Sequence, residues 1–437
     1  MKTGTGQFAT DHHGWSELLS SRKPNPPLMG SHRVPWCVVG AGLTGLACAR
    51  RLAQLHPHDA ILILDARCVG QGASGRNSGF VVSTSQFNGG FDSAQISHYQ
   101  RINRINRAGL ALLNEAVEAH SIDCAWHREG FIHTAADQSA MREYNYYRKY
   151  LEALELPHQL LDTEELAAKL GTGFYRAGIH IEDGALVQPA ALVRGLAQTL
   201  PSNVQLHEQS PVNEIRPGQT VKVILSEAEV ICDRLIVATN YEASRLGLIS
   251  FRIMGSTLSG SFTRRLTDDE MDKMGALKQW GAISLHSGGA TIRLTKDRRI
   301  SLRNTAEYHG ARLLSDRLLR QRQKIHRQAF ENRFPQLADV PFEFGWSGVE
   351  GISRNGTNFF GRQKKNVFFA GGYNGSGVSR GTAFGHAIAD YASDIDGETV
   401  SDCLASEPAK WIPPRPFLDI GAWYKIRSRF QDVGRDR

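Results

Sequence analysis

The chain has 437 residues, more than one ordinary hydrophobic core organises, so two interleaved domains are the expectation. Its formal charge of +7 is spread out and not gathered into an aromatic-interleaved basic cluster, which speaks against a nucleic-acid partner. No apolar run reaches the ~18 residues of a membrane span. The six cysteines are scattered without a C-x-x-C pair, so buried reduced thiols, no metal site and a cytoplasmic location are expected. The positive charge is densest from Arg264 to Arg333, with 16 Lys and Arg against 8 Asp and Glu, a field that draws in an acidic substrate.

Residues 1–33 are polar, lack the apolar core of a secretory signal and read as a loosely held extension. A short buried strand over residues 34–39 then runs into GAGLTG. Gly40 permits the tight turn, Gly42 lets a pyrophosphate approach the backbone, and Gly45 lets helix and strand pack closely. The helix from Leu43 offers its N-terminal N–H groups to phosphate. A second apolar run, residues 61–64, ends in Asp65, which is 20 residues after Gly45 and placed to bond a ribose. Strand, turn, helix, strand and acid in that order define a dinucleotide site.

Residues 66–81 form a glycine-dense loop suited to lie against a flat or anionic ligand. Helical periodicity follows over residues 96–120 and 141–156, with a strand at 131–134 between them. A helix starts near Pro189, and short strands at 204–206, 212–215, 221–225 and 230–231 form a meander. They lead to the buried strand 235–238, with Thr239 and Asn240 at its carboxyl end, where ligands lie in doubly wound sheets. Strands at 255–263, 282–286, 290–294, 299–304 and 342–352, with a basic helix at 313–334, suggest an antiparallel sheet with one wet face. Residues 366–392 read as strand, glycine loop and helix. The proline-rich, basic and aromatic tail is expected to dock on its own domain, with a membrane surface as the alternative.

With GAGLTG, GASGRNSG at 72–79, DRLIVATN at 233–240 and FFAGGYNGSG at 368–377, the chain resembles the D-amino-acid oxidase-like superfamily of FAD-dependent oxidoreductases. The nearest likeness is to its glycine oxidase, sarcosine oxidase and gamma-glutamylputrescine oxidoreductase branch. The resemblance implies an α/β fold, in which a Rossmann-like FAD-binding domain is interleaved with an antiparallel-sheet α+β substrate domain. The FAD-binding parts are residues 34–85, 181–245 and 351–395. Residues 86–180 supply connecting helices and part of the substrate domain, residues 246–350 the rest of it, and residues 396–437 a tail.

The resemblance further implies that Gly40, Gly42 and Gly45 hold the FAD pyrophosphate and Asp65 the adenosine ribose. Ser74, Arg76 and Asn77 would line the pyrophosphate and flavin edge, and Val212 would meet the adenine. Gly372, Tyr373, Asn374, Gly375, Ser376, Gly377 and Val378 would run beneath the isoalloxazine. Leu43, Thr44, Ala66, Arg67, Gly72, Ala73, Thr239 and Asn240 complete the expected cofactor set. Three departures stand out. No cysteine occurs between Cys232 and Cys403, so non-covalent FAD is expected; Asn355 replaces an aspartate after Trp346; and Arg303 and Asn304 replace two glycines.

The implied activity is oxidation of a C–N bond in an amine or amino acid, gamma-glutamylated or otherwise anionic. Hydride passes to flavin N5 and the imine then hydrolyses. No side-chain base is required. His286, Arg293, Arg303, Trp346 and Tyr373 are the substrate-wall candidates, with Arg293 or Arg303 able to clamp a carboxylate. The electron acceptor, oxygen or another oxidant, and the oligomeric state are not legible. The alternatives are a flavin-dependent hydroxy-acid dehydrogenase and an NADPH-dependent flavin monooxygenase; the monooxygenase is disfavoured because the late glycine loop carries no GD dipeptide.

Overall fold

The structure, a computed structural model, describes residues 13–84, 90–431 and 433–437. Its first sheet is eight-stranded. Across it run Phe359–Lys364, Val367–Gly371, Ala228–Val237, Gly30–Val39, Ile61–Leu64 and Val204–His207, with Val221–Ile224 and Glu214–Arg216 branching from Ala228–Val237. The four pairings that join Val367–Gly371 to Val204–His207 are all parallel. Parallel strands are covered on both faces, which is why Ile61–Leu64 and Val367–Gly371 are apolar and buried at every position. One face carries helices Leu43–Leu55, Ile96–Ala119 and Ser379–Ala392, whose Leu46, Ile105 and Phe384 share a core with Val38, Ile63 and Ile236.

The second sheet also has eight strands: Phe342–Ser353, Ile253–Thr263, Ile300–Glu307, Thr291–Leu294, Trp280–Ser284, Phe131–Ala135, Ala177–Ile181 and Gln159–Leu161. It is antiparallel except where Trp280–Ser284 meets Phe131–Ala135 in parallel. One of its cores packs Ile132, Trp280 and Leu302 against Phe330 of helix Asp316–Arg333. The chain passes between the sheets repeatedly, and the pair Phe80–Val82 and Gly184–Leu186 forms a small bridge.

Three differences from the sequence reading concern how ends and breaks are satisfied. Residues 228–237 are one strand, because Val230 and Ile231 continue the pairing that Leu235 to Val237 make with the first strand. Helix Thr163–Leu170 was not anticipated, although Asp162 and Glu165 cap it reciprocally in a D-x-x-E box. The N-terminal segment is not loosely held from His13 onward; residues 1–12 lie outside the described residues. Trp15 is buried edge-on against Phe262 at 4.6 Å, and Arg22 pairs with the buried Glu208, which also accepts the Asn25 N–H.

Candidate active site

The first strand ends in Gly40, whose φ of +105° is unstrained only for glycine. Gly45 sits so close behind this turn that a Cβ there would come within 1.8 Å of the Gly40 carbonyl oxygen. Asp65 ties the second strand to the same turn: its carboxylate accepts the Ala41 N–H at 2.7 Å and the Arg67 N–H at 2.8 Å. Ser74 Oγ, on the short helix Ala73–Arg76, accepts the Leu43 N–H at 3.1 Å. From the far end of the chain, Tyr373 OH meets Thr44 Oγ1 at 2.7 Å. Burial raises the Tyr373 hydroxyl well above its ordinary range, so it acts as a neutral brace.

These segments open on one cavity of about 2220 Å³, more than twice the ~1,000 Å³ upper range of ordinary ligand pockets. Its wall runs from Asp65, Arg67 and Val212, past Gly42, Thr44, Ser74 and Thr239, to Gly348, Glu350 and Gly375, and on to Arg303, His309 and Arg312 of the second sheet and its following loop. Such a volume accommodates a dinucleotide and a substrate together. Thr239 Oγ1 is buried and lacks a hydrogen-bond partner among the described residues, an orphan acceptor and donor on that wall. The open glycine turn, the orphan hydroxyl and the length of the trough fit FAD.

Most residues expected at the cofactor line this cavity, including Leu43, Ala66, Gly72, Ala73, Asn77, Asn240, Asn374, Ser376, Gly377 and Val378. Two do not. Gly45 packs behind the turn, and Gly372 (φ +73°) lies against the Phe359 ring, with its N–H donated to Asn240 Oδ1 at 2.9 Å. Arg76 lines the wall but is structural: its guanidinium donates to the Gln71 and Ser347 carbonyls and to Gln71 Oε1. Asn374 similarly holds the glycine loop, accepting the Ser353 N–H and donating to the carbonyls of Gly356, Thr357 and Gly372.

Two substrate-wall candidates are corrected. Arg293 is buried away from the cavity, where its Nη1 donates to the carbonyls of Ser78, Gly79 and Val187 at 2.7 to 3.1 Å. It faces a loop that the linear pattern does not place beside it, and burial pushes its pKa down to about 9. His286 turns its Nδ1 to the Gly288 N–H inside its own tight turn, and Ser287 lines the cavity instead. Of the others, Trp346 lines the wall with its Nε1–H on the Arg76 carbonyl and its ring on Phe262. Arg303 does so with Nη2 on Thr291 Oγ1.

Several wall residues escaped the sequence reading. Arg380, readable from its place after the loop only as a brace for the helix, is buried, donates from Nε to Asn106 Oδ1 at 3.1 Å and from Nη1 to Asn358 Oδ1 and the Tyr373 carbonyl at 3.4 Å, and is pushed down to about 10 by burial and by Arg101 nearby. His133 hydrogen-bonds Tyr147 OH through Nε2 at 3.1 Å, Tyr147 bonds Thr84 Oγ1 at 2.9 Å, and burial drives the imidazole down to about 3. It is therefore neutral at working pH. Among the described residues the wall carries nine Arg and Lys but three carboxylates, Asp65, Glu242 and Glu350. Asp65 is held at the first glycine turn and Glu242 pairs with Arg245, leaving Glu350 as the carboxylate of the second-sheet end. Its Oε2 lies 3.6 Å from where a Cβ of Gly375 would stand. The sequence signal for it was the alternation that puts Trp346, Gly348 and Glu350 on one strand face.

A doubly wound nucleotide-binding sheet joined to an antiparallel sheet over one long trough defines a two-domain dinucleotide-dependent class of enzyme. The profile of the FAD dependent oxidoreductase family matches residues 35–391, and the chain belongs to that family. It is an FAD-dependent oxidoreductase. It is 26% identical over 413 residues to the gamma-glutamylputrescine oxidoreductase of Escherichia coli K12, covering 90% of this chain and 92% of that protein. The probable oxidoreductase OrdL of Haemophilus influenzae is also 26% identical, over 416 residues, covering 88% and 89%. The glycine oxidase structure from Geobacillus kaustophilus superposes with a TM-score of 0.68 at 19% identity, covering 84% of this chain and 96% of that one. No helix among the described residues is long and apolar enough to cross a membrane.

Proposed function

We propose that the enzyme oxidises the C–N bond of an amine or amino acid that also carries an anionic group. The observation that carries this reading is the composition of the second-sheet wall of the trough, where among the described residues Glu350, beside the glycine loop, is the one carboxylate and Arg303 and Arg312 are cations. A carboxylate there holds the substrate nitrogen through its N–H groups, and guanidinium groups across the wall bind the anionic end in a fixed orientation. Holding both ends sets the reacting C–H in register, the main contribution a protein makes to such a step. When bound, FAD would supply the two-electron oxidation at the carbon beside nitrogen, and the imine product would hydrolyse to a carbonyl compound. Neutral His133 offers a hydrogen bond without adding charge to that end. The likeness to a gamma-glutamylputrescine oxidoreductase supports a substrate with both amine and carboxylate.

The test is anaerobic bleaching of the flavin by a panel of secondary amines, amino acids, gamma-glutamyl amines and hydroxy acids. Bleaching by amines that carry a carboxylate, lost in Glu350→Gln as a raised KM, is the expected outcome; bleaching by hydroxy acids alone would reject it. We further propose that FAD is held non-covalently, since no cysteine among the described residues lines the trough. Acid precipitation then leaves the yellow cofactor in the supernatant, and a yellow pellet would show a covalent link.

A further inference from the structure

The last long helix, Phe417–Arg429, is apolar on two faces, and only one of them is used by the fold. Its inward face, with Leu418, Ala422 and Ile426, closes the second-sheet end of the trough. Its outward face leaves Phe417 (67% exposed), Ile420 (65%), Trp423 (58%) and Tyr424 (70%) in solvent. At 3.6 residues per turn these four fall within roughly 120° of arc. Isolated exposed apolar side chains need no explanation, but four on one helix face do.

Charge decides what covers this face. Residues 410–437 hold seven Lys and Arg and three Asp and Glu, a surplus of four positive charges out of the +7 of the whole chain. Arg427 stands over the Trp423 ring at 5.1 Å, and Arg415, whose Nε pairs with Asp419 at 2.9 Å, lies just before the helix, so basic side chains border the apolar face. A second copy of the chain would set the same surplus against itself. An anionic surface with an apolar interior satisfies both features, and Trp and Tyr are the side chains that suit a headgroup boundary. We propose that helix Phe417–Arg429 seats the enzyme on an anionic lipid bilayer, with Phe417, Ile420, Trp423 and Tyr424 entering the headgroup layer and Arg415 and Arg427 meeting lipid phosphates. Because the other face of the same helix walls the trough, the seat places the substrate end of the cavity at the membrane surface. The proposal does not depend on the substrate assigned above.

The experiment is co-sedimentation of the flavin-loaded full chain with vesicles, one set of phosphatidylcholine and another in which a third of the lipid is phosphatidylglycerol. Binding is expected to the anionic vesicles only and to weaken with salt. A basic residue at an anionic leaflet is worth roughly fivefold in affinity, so Arg415→Gln with Arg427→Gln should weaken binding by up to about 25-fold. Phe417→Ser, Ile420→Ser and Trp423→Ser together should abolish it while the flavin spectrum is kept. If that triple variant loses its flavin, the charge variant alone decides the matter. Failure of the parent chain to sediment at low salt, equal binding to both vesicle types, or unchanged binding by the charge variant would overturn the proposal. A concentration-dependent dimer abolished by the triple variant, without vesicle binding, would assign the face to a second copy instead.

Discussion

Two arginines of neighbouring strands show how little residue type says about role. Arg293 satisfies three carbonyls in a dry interior, each costing about 1–3 kcal/mol if left unpaired. Arg293→Ala should therefore lower the unfolding midpoint and weaken FAD retention, as read by urea melts and flavin content, without changing which substrates bleach the flavin. Arg303 lines the trough, and a charge-assisted hydrogen bond to a substrate anion is worth about 1.5–3 kcal/mol. Arg303→Gln is expected to raise KM tenfold or more at an unchanged melting temperature. His133 and His326 make a third residue-scale case. Both are buried and pushed down to about 3, whereas in the unfolded chain they take up protons as pH falls through ~6.5. The folded pKa is depressed, so the contribution is complete above the unfolded value and drains as pH falls from ~6.5 toward 3, by up to about 1.4 kcal/mol per pH unit for each group. Urea midpoints measured from pH 7.5 downward should fall accordingly, and His326→Gln should flatten the slope.

At the scale of elements, the chain's last residues act as a fastener. Asp436 pairs with the fully buried Arg333 at the end of helix Asp316–Arg333, and its own backbone carbonyl accepts from the same Nη2 at 2.9 Å. Arg333 also stands over Phe174 at 4.2 Å, so helix, tail and the segment before strand Ala177–Ile181 meet at one cation. Removing one partner of a buried pair leaves an uncompensated charge and costs about 3–5 kcal/mol. Asp436→Asn, or removal of residues 434–437, should lower stability by about that amount in urea melts, with kcat little changed. The departures from relatives also find their reasons here. Asn355, in place of an acid, accepts the Lys410 N–H and donates to the Pro408 carbonyl, so it anchors the tail at a point on the trough wall. Asn304 falls where the pairing of Ile300–Glu307 with Ile253–Thr263 slips, the bulge that turns Arg303 to the trough.

Across the whole molecule, the trough takes its walls from both sheets, so the cofactor joins them by contact as well as by chemistry. A ligand that binds only the folded form stabilises it by about 2.7 kcal/mol at a hundred times its dissociation constant. FAD-stripped protein should melt earlier than the loaded form, and added FAD should restore the midpoint in a concentration-dependent way. A midpoint indifferent to FAD would mean that the two sheets hold each other without it.

The cofactor half of this enzyme was legible in the amino-acid order because it is local. Gly40, Gly42, Gly45 and Asp65 act within one strand–turn–helix–strand unit, where spacing and backbone geometry suffice. The late loop was legible for the same reason, from Val367 to Ser379. Substrate recognition was not. Glu350, His133 and the inward face of the last helix, which line the proposed substrate end, come from segments far apart in the chain, and each is unremarkable in its own neighbourhood. Whether an arginine such as Arg293 or Arg303 meets carbonyl oxygens or open space is set by what the second sheet packs against it, which only the tertiary structure decides.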